Sequence, residues 1–195
     1  MSWGSRALLL ALWAGVLGYA ALFAPPSRPD QTEWVLRLLT GDWAGEEPWV
    51  VVIFNLLGVW PLTMAALLAP SLRRRPVPLW PFVAGSMFLG AFALVPGLAL
   101  GGESPPMAPW QRALRSPWFR GGLAAVALAL LAWAVGAGDP SAYAQAFATD
   151  QFVHVMSLDF GLLYVTSVLV ARSQGGSWGW SLVPLFGALA VARAD

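Results

Sequence analysis

His154-Val155-Met156-Ser157-Leu158-Asp159-Phe160 brings an imidazole, a hydroxyl and a carboxylate close together inside an apolar run. Such groups can take up a proton or orient a polar ligand when water is excluded. Asp159 is the only carboxylate well inside any apolar run. Near mid-helix in lipid such a group is unfavourable by about 2.5 to 3.5 kcal/mol, so it needs a partner. At 100° per residue, Asp159 and Thr166 share one helix face, whereas His154, Ser157, Gly161 and Tyr164 share another. His154 and Asp159 therefore make no i,i+4 pair, and would serve one cavity only if two neighbouring helices supplied its walls.

The expected partner of Asp159 is Asn55, in Phe54-Asn55-Leu56-Leu57-Gly58-Val59-Trp60-Pro61. Both lie a similar number of residues into their runs, so parallel helices would hold them at one depth, and antiparallel helices would separate them by roughly 8 Å. Asn55, His154, Ser157 and Asp159 thus form either a ligand-binding site or interhelical polar glue. In the second case Asp159 and Asn55 fix register, His154 bonds a headgroup or loop carbonyl, and Ser157-xxx-Gly161 permits close packing. Axial ligation of a pigment by His154 or Asn55 is a third use. No cofactor is required by these residues; pigment and lipid are the candidates. The chain has no cysteine and one histidine, which excludes thiol chemistry and a His-rich metal centre. Acid–base catalysis ranks last, because no nucleophile motif and no second deep carboxylate accompany Asp159.

The elements that must position these residues are apolar. Hydrophobic residues make up 58% of the 195 and charged ones 11%, with a formal net charge of +1, and mean hydropathy is +0.65. A charge this small speaks against nucleic acid as a partner. The runs are Ala7 to Ala24, Trp49 to Ala69, Leu79 to Leu100, Gly121 to Gly138, Phe152 to Ala171 and Ser177 to Ala192. All are too long for strands, and most approach or reach the roughly 18 to 25 residues needed to cross a hydrocarbon core about 30 Å thick. The expected fold is all-α: a polytopic transmembrane bundle of about six hydrophobic helices, the last the least secure, forming one integral membrane domain over residues 1–195. The first run is read as an uncleaved span, because Pro25-Pro26 makes a poor cleavage site. No internal repeat is visible.

Arginine in short loops marks the cytoplasmic side. Arg73-Arg74-Arg75 and Arg6 agree with a cytoplasmic N-terminus, with the acidic loop of Asp30, Glu33, Asp42, Glu46 and Glu47 opposite. A full third crossing would then put Arg112, Arg115 and Arg120 on the acidic side. Pro81, Gly85, Gly90, Pro96 and Gly97 allow the third run to enter and return on one side, which restores the charge rule. Run length favours the continuous helix, which is the preferred expectation; charge favours the re-entrant one.

Two short interfacial helices are expected. Asp30 and Glu33 resemble a capping box, Glu33 and Arg37 an i,i+4 pair, and Gly41 a C-terminal stop. Around Pro109 to Arg120, Trp110, Leu114 and Trp118 alternate with Arg112, Arg115 and Arg120. These arginines and Arg73, Arg74 and Arg75 are candidate contacts to lipid headgroups, a docking protein being the alternative for the Pro109 to Arg120 segment. Trp3, Trp49, Trp80, Trp118, Trp178 and Trp180 read as an interfacial belt, and Trp13, Trp60 and Trp133 as helix packing, with a pigment or cofactor box as the alternative.

Phe54-Asn55-Leu56 with Gly58 and Trp60-Pro61, then Pro78-Leu79-Trp80-Pro81-Phe82, then His154 to Phe160 resemble an uncharacterised family of small multi-span membrane proteins shared by cyanobacteria and chloroplasts. The likeness spans roughly Trp49 to Ala192. It implies a photosynthetic setting and no catalytic residue. The expected function is a non-enzymatic integral protein of a plasma or thylakoid membrane that contacts, assembles or stabilises a larger membrane complex. The alternative is a binder or transporter of a small or lipid-like ligand at Asn55, His154 and Asp159.

Overall fold

A computed structural model describes residues 1–176, 179, 182–183 and 185–192. In chain order the helices are α1 (Trp3–Phe23), α2 (Gln31–Thr40), α3 (Pro48–Leu67), α4 (Trp80–Leu100), α5 (Pro109–Leu114), α6 (Pro117–Ala137), α7 (Pro140–Thr149), α8 (Gln151–Ser173) and α9 (Phe186–Val191), with a 3-10 turn at Ala69–Ser71. Five of them, α1, α3, α4, α6 and α8, are long and apolar enough to cross a membrane. The described residues are all-helical, and the five apolar helices are those of a multi-pass membrane protein. Of the expected sixth run, the described residues form only the short α9, and Ser177, Trp178, Trp180, Ser181 and Pro184 lie outside them.

Helix starts follow from short polar side chains meeting amides that have no intrahelical acceptor. Ser2 accepts from Ser5 N–H, Glu47 from Val50, Ser116 from Phe119 and Asp150 from Val153. Around α2 the outcome differs from expectation. Asp30 pairs with Arg28 at 2.9 Å rather than capping, and Arg37 reaches Glu46 at 3.3 Å rather than Glu33. Gly41 does close the helix, at φ 84°.

The core is centred on α3, whose neighbours are α4, α6, α8 and α9. Trp60, fully buried, meets Phe160 edge-on with ring centroids 4.7 Å apart. Trp13 and Trp133 also have ordinary packing roles, as Trp133 stacks on Trp43 at 5.9 Å and Trp13 donates a hydrogen bond into α4. Of the expected belt, Trp3, Trp80 and Trp118 are exposed near helix ends, whereas Trp49 packs against the core.

Inside α4 the backbone leaves the helical region at Gly90, with φ 50° and ψ −133°. A side chain at Gly97 would collide with the Phe82 ring, and a Cβ at Gly85 would lie 3.4 Å from that of Ala93. A straight helix would hold residues 82 and 97 about 22 Å apart. The halves of α4 therefore lie side by side, and beyond them Arg75 and Glu103 exchange backbone hydrogen bonds at 2.9 and 3.1 Å.

This reversal sorts the charges. Among the described residues one end of the bundle carries Arg6, Arg73, Arg74, Arg75, Arg112, Arg115, Arg120 and Arg172 with a single carboxylate, Glu103. The other carries Asp30, Glu33, Asp42, Glu46, Glu47, Asp139 and Asp150 with Arg28 and Arg37. Contacts tie each end together: Arg6 against Gly101, and Gln174 on Leu67 O at 2.9 Å, at the first; Asp139 N–H on Glu47 at 2.8 Å at the second.

No repeat is visible in the sequence, but the order of elements is doubled. Long helix, ten-residue helix, long helix occurs as α1–α2–α3 and again as α6–α7–α8. The packing matches too: α3 lies on α6 as α8 lies on α1, and α4 on α8 as α9 on α3. A serine caps each first helix, with arginine four residues on, Arg6 and Arg120. Thr63 and Thr166 stand equally far beyond the capping acids Glu47 and Asp150, and each donates to the carbonyl four residues back.

Candidate functional site

The break at Gly90 leaves the second half of α4 with a free N-terminus inside the bundle. Asp159, projecting from α8 and 5% exposed, meets it: its carboxylate accepts from Ala91 N–H at 2.8 Å, and the Phe92 amide is directed at it as well. A carboxylate at the positive end of a helix is favourably placed, and the amides gain the acceptor that the broken helix removed. Gly90 permits the approach twice over, because its φ suits glycine and a Cβ there would overlap the Asp159 carboxylate.

Two further side chains complete the support of this half-helix. Pro96 has no N–H, so the Phe92 carbonyl loses its usual partner. The Trp13 indole of α1 donates to it at 3.1 Å. At the other end Arg74, 5% exposed, donates to Gly97 O and, at 3.1 Å, to Val77 O. A cation at a helix C-terminus is the electrostatic counterpart of Asp159 at the N-terminus.

The expected Asn55–Asp159 pair is replaced by this arrangement. Asn55 turns back on its own helix and donates to Val51 O at 2.8 Å. His154 is buried near the start of α8 and bonds Phe147 O of α7 through Nδ1 at 2.9 Å. Because a carbonyl only accepts, Nδ1 carries the proton, and Nε2, buried and without a hydrogen-bond partner, is a bare acceptor in the neutral ring. Phe147 and Tyr19 cover its faces, with centroids 4.3 and 5.6 Å away. Ser157 donates to Val153 O and so receives the Tyr143 hydroxyl, both at 2.5 Å. Gly161 is exposed with nothing within 4 Å of a built Cβ, so Ser157-xxx-Gly161 is not a close-packing notch. The four expected site residues therefore bind four different partners.

Of the arginines, Arg73 and Arg75 are exposed, and Arg74 is held inside as described. Arg112 donates to Met107 O at 3.2 Å, Arg120 to Leu189 O at 2.6 Å, and Arg115 is 7% exposed. Sequence reasoning missed the Ala91 amide, the hydrogen bond of Trp13, and Gln111, whose buried amide ties α5 to Ala69 O. Pro96 was the usable signal for Trp13, since a proline inside a helix always frees a carbonyl. Comparison with known proteins finds no matching family model, no matching curated protein and no matching solved structure.

Proposed function

We propose that the protein is a non-enzymatic membrane component that contacts, assembles or stabilises a larger membrane complex, in the photosynthetic membrane to which the family resemblance points. The observation that carries this reading is how the deep polar groups are used. Asp159 caps a half-helix, and Asn55, Thr63, Ser157 and Thr166 bond carbonyls of their own helices. Polar chemistry inside the membrane is spent on building the fold, leaving apolar surface as what the protein presents. Only 6% of the apolar window of α1 and 17% of that of α6 is buried, against 67% for α3. After extraction in mild detergent the protein should migrate with a large complex; a strictly free monomer overturns the proposal.

The same reading makes α4 a re-entrant hairpin whose two ends lie on the arginine-rich, cytoplasmic face. The contact of Phe82 with Gly97 and the arginine distribution support it. The sequence has no cysteine, so single cysteines report without background. Ser104→Cys and Val77→Cys should label from the cytoplasmic side only, and Ser141→Cys from the opposite side only. Labelling of positions 77 and 104 from opposite sides overturns the hairpin.

One observation favours ligand binding instead: the unpartnered Nε2 of His154. A small or lipid-like ligand with a donor group would satisfy it. In that case His154→Phe abolishes ligand-dependent quenching of tryptophan emission while Asn55→Leu leaves it intact, because Asn55 faces a different partner.

A further inference from the structure

At the arginine-rich end, a cavity of about 300 Å³ is lined by Arg73, Arg74, Arg75, Trp80 and the prolines 76, 78 and 105. Among the described residues the side chains of Arg73 and Arg75 have no hydrogen-bond or ion-pair partner, while Arg74 behind them is fixed on Val77 O and Gly97 O. Arg6 stands beside Arg74, and burial together with that like charge holds the Arg74 guanidinium below its ordinary range. Glu103 is the only carboxylate at this end among the described residues, and it joins the loop through its backbone. Positive charge is thus concentrated here, with Glu103, opposite Arg75 across the bridge but in no ion pair, as the single carboxylate among the described residues of this end. The proline walls restrict the backbone, which lowers the ordering cost of binding an anion between the two free guanidiniums.

Trp80, which lines the cavity, also begins an apolar stripe. Trp80, Ala84, Met87 and Phe88 are exposed on the first half of α4, at the i, i+4, i+7, i+8 spacing that forms one stripe. Phe88 is 89% exposed and Trp80 is 55% exposed. An amphiphile whose phosphate sits between Arg73 and Arg75 would lay its acyl chains along this stripe, whereas a free phosphate would use only the upper part.

We propose that the cavity between Arg73, Arg75 and Trp80 is a specific site for an anionic phospholipid, phosphate on the guanidiniums and chains along the exposed face of α4. It rests on the membrane reading above but not on any partner complex. Guanidinium groups match phosphate oxygens in pairs, and a full anionic charge distinguishes this lipid from a zwitterionic one.

The experiment is thermal unfolding of the full chain in detergent with added phosphatidylglycerol, phosphatidylcholine or inorganic phosphate. Phosphatidylglycerol should raise the midpoint saturably and the other two should not. The double variant R73Q/R75Q should unfold at the unchanged temperature without lipid, because neither side chain is bonded. It should need roughly thirtyfold more phosphatidylglycerol for half the shift, about fivefold for each arginine lost. Arg112→Gln, at the same end, should respond as the parent does. Equal responses to both lipids, a shift with inorganic phosphate alone, an unimpaired double variant, or an equal loss in Arg112→Gln each overturn the site. None of these outcomes touches the membrane reading, which fails only if alkaline carbonate strips the chain from membranes.

Discussion

Asp159 turns an expensive residue into a structural one. An aspartate in an apolar helix calls for an answering group, and here the answer is a backbone amide that exists only because α4 breaks at Gly90. Two substitutions separate cap from charge. Asp159→Asn keeps an oxygen for Ala91 N–H and should change stability by less than about 1 kcal/mol, whereas Asp159→Leu leaves a buried amide unpaired and should cost about 1 to 3 kcal/mol. Equal unfolding midpoints for Asp159→Leu and the parent would reject the cap. Because Asn55 bonds its own helix, Asn55→Leu and Asp159→Leu should add to within about 0.5 kcal/mol in a double-mutant cycle. At Gly90 itself, alanine would meet both the unfavourable φ and the carboxylate. Gly90→Ala should therefore destabilise by about 3 kcal/mol or more, seen as a lowered midpoint or failure to accumulate.

The α4 element shows how a proline and a tryptophan far apart in sequence become one unit. Pro96 frees the Phe92 carbonyl and Trp13 occupies it. Trp13→Phe should cost about 1 kcal/mol in the parent, the net worth of such a bond. In a Pro96→Ala background the backbone N–H regained at position 96 can serve Phe92 instead, so the cost of Trp13→Phe should shrink. An undiminished cost in that background would show that Trp13 acts through packing alone. Much of this element was legible beforehand: the glycines and prolines that permit a reversal, and the arginine distribution that asks for one. Length argued the other way and made the continuous helix the preferred expectation, since a largely apolar stretch of 21 residues also fits a complete crossing. The partner of Asp159 was not legible, because an amide becomes a donor to a side chain only after its helix has broken. α7 was missed for a different reason: Pro140–Thr149 lacks a strong apolar stripe and none of its residues is buried, so it reads as a loop.

For the whole molecule, the doubled order of elements explains why α3 and α8 sit at the centre. Each long helix of one half packs on a helix of the other: α3 on α6, α8 on α1, α4 on α8, α9 on α3. Little of this shows in the residues, as matched positions are mostly different, and apart from Ser2 and Ser116, Arg6 and Arg120, Gly58 and Gly161, Thr63 and Thr166 the identities are of common apolar residues such as Leu9 and Leu123 or Val50 and Val153. In lipid one apolar side chain replaces another at small cost, so helix packing outlasts sequence likeness. The halves meet in the chain at the segment 101–108, which contains no helix and is anchored by the Arg75–Glu103 bridge before Pro105-Pro106. Cutting there should cost little, since the interlocked helices and not the connection hold the halves together. Co-expressed fragments 1–105 and 106–195 should purify as a complex through a tag on either one, with an unfolding midpoint a few degrees below that of the intact chain. The same cut made between Gly41 and Asp42, within a half, separates α1 and α2 from α3 but leaves α1 its contacts with α4 in its own half and α8 in the other, and gives the comparison. If fragments cut at 105 do not associate while those cut at 41 do, the cohesion lies within the halves and the interlocking account is wrong.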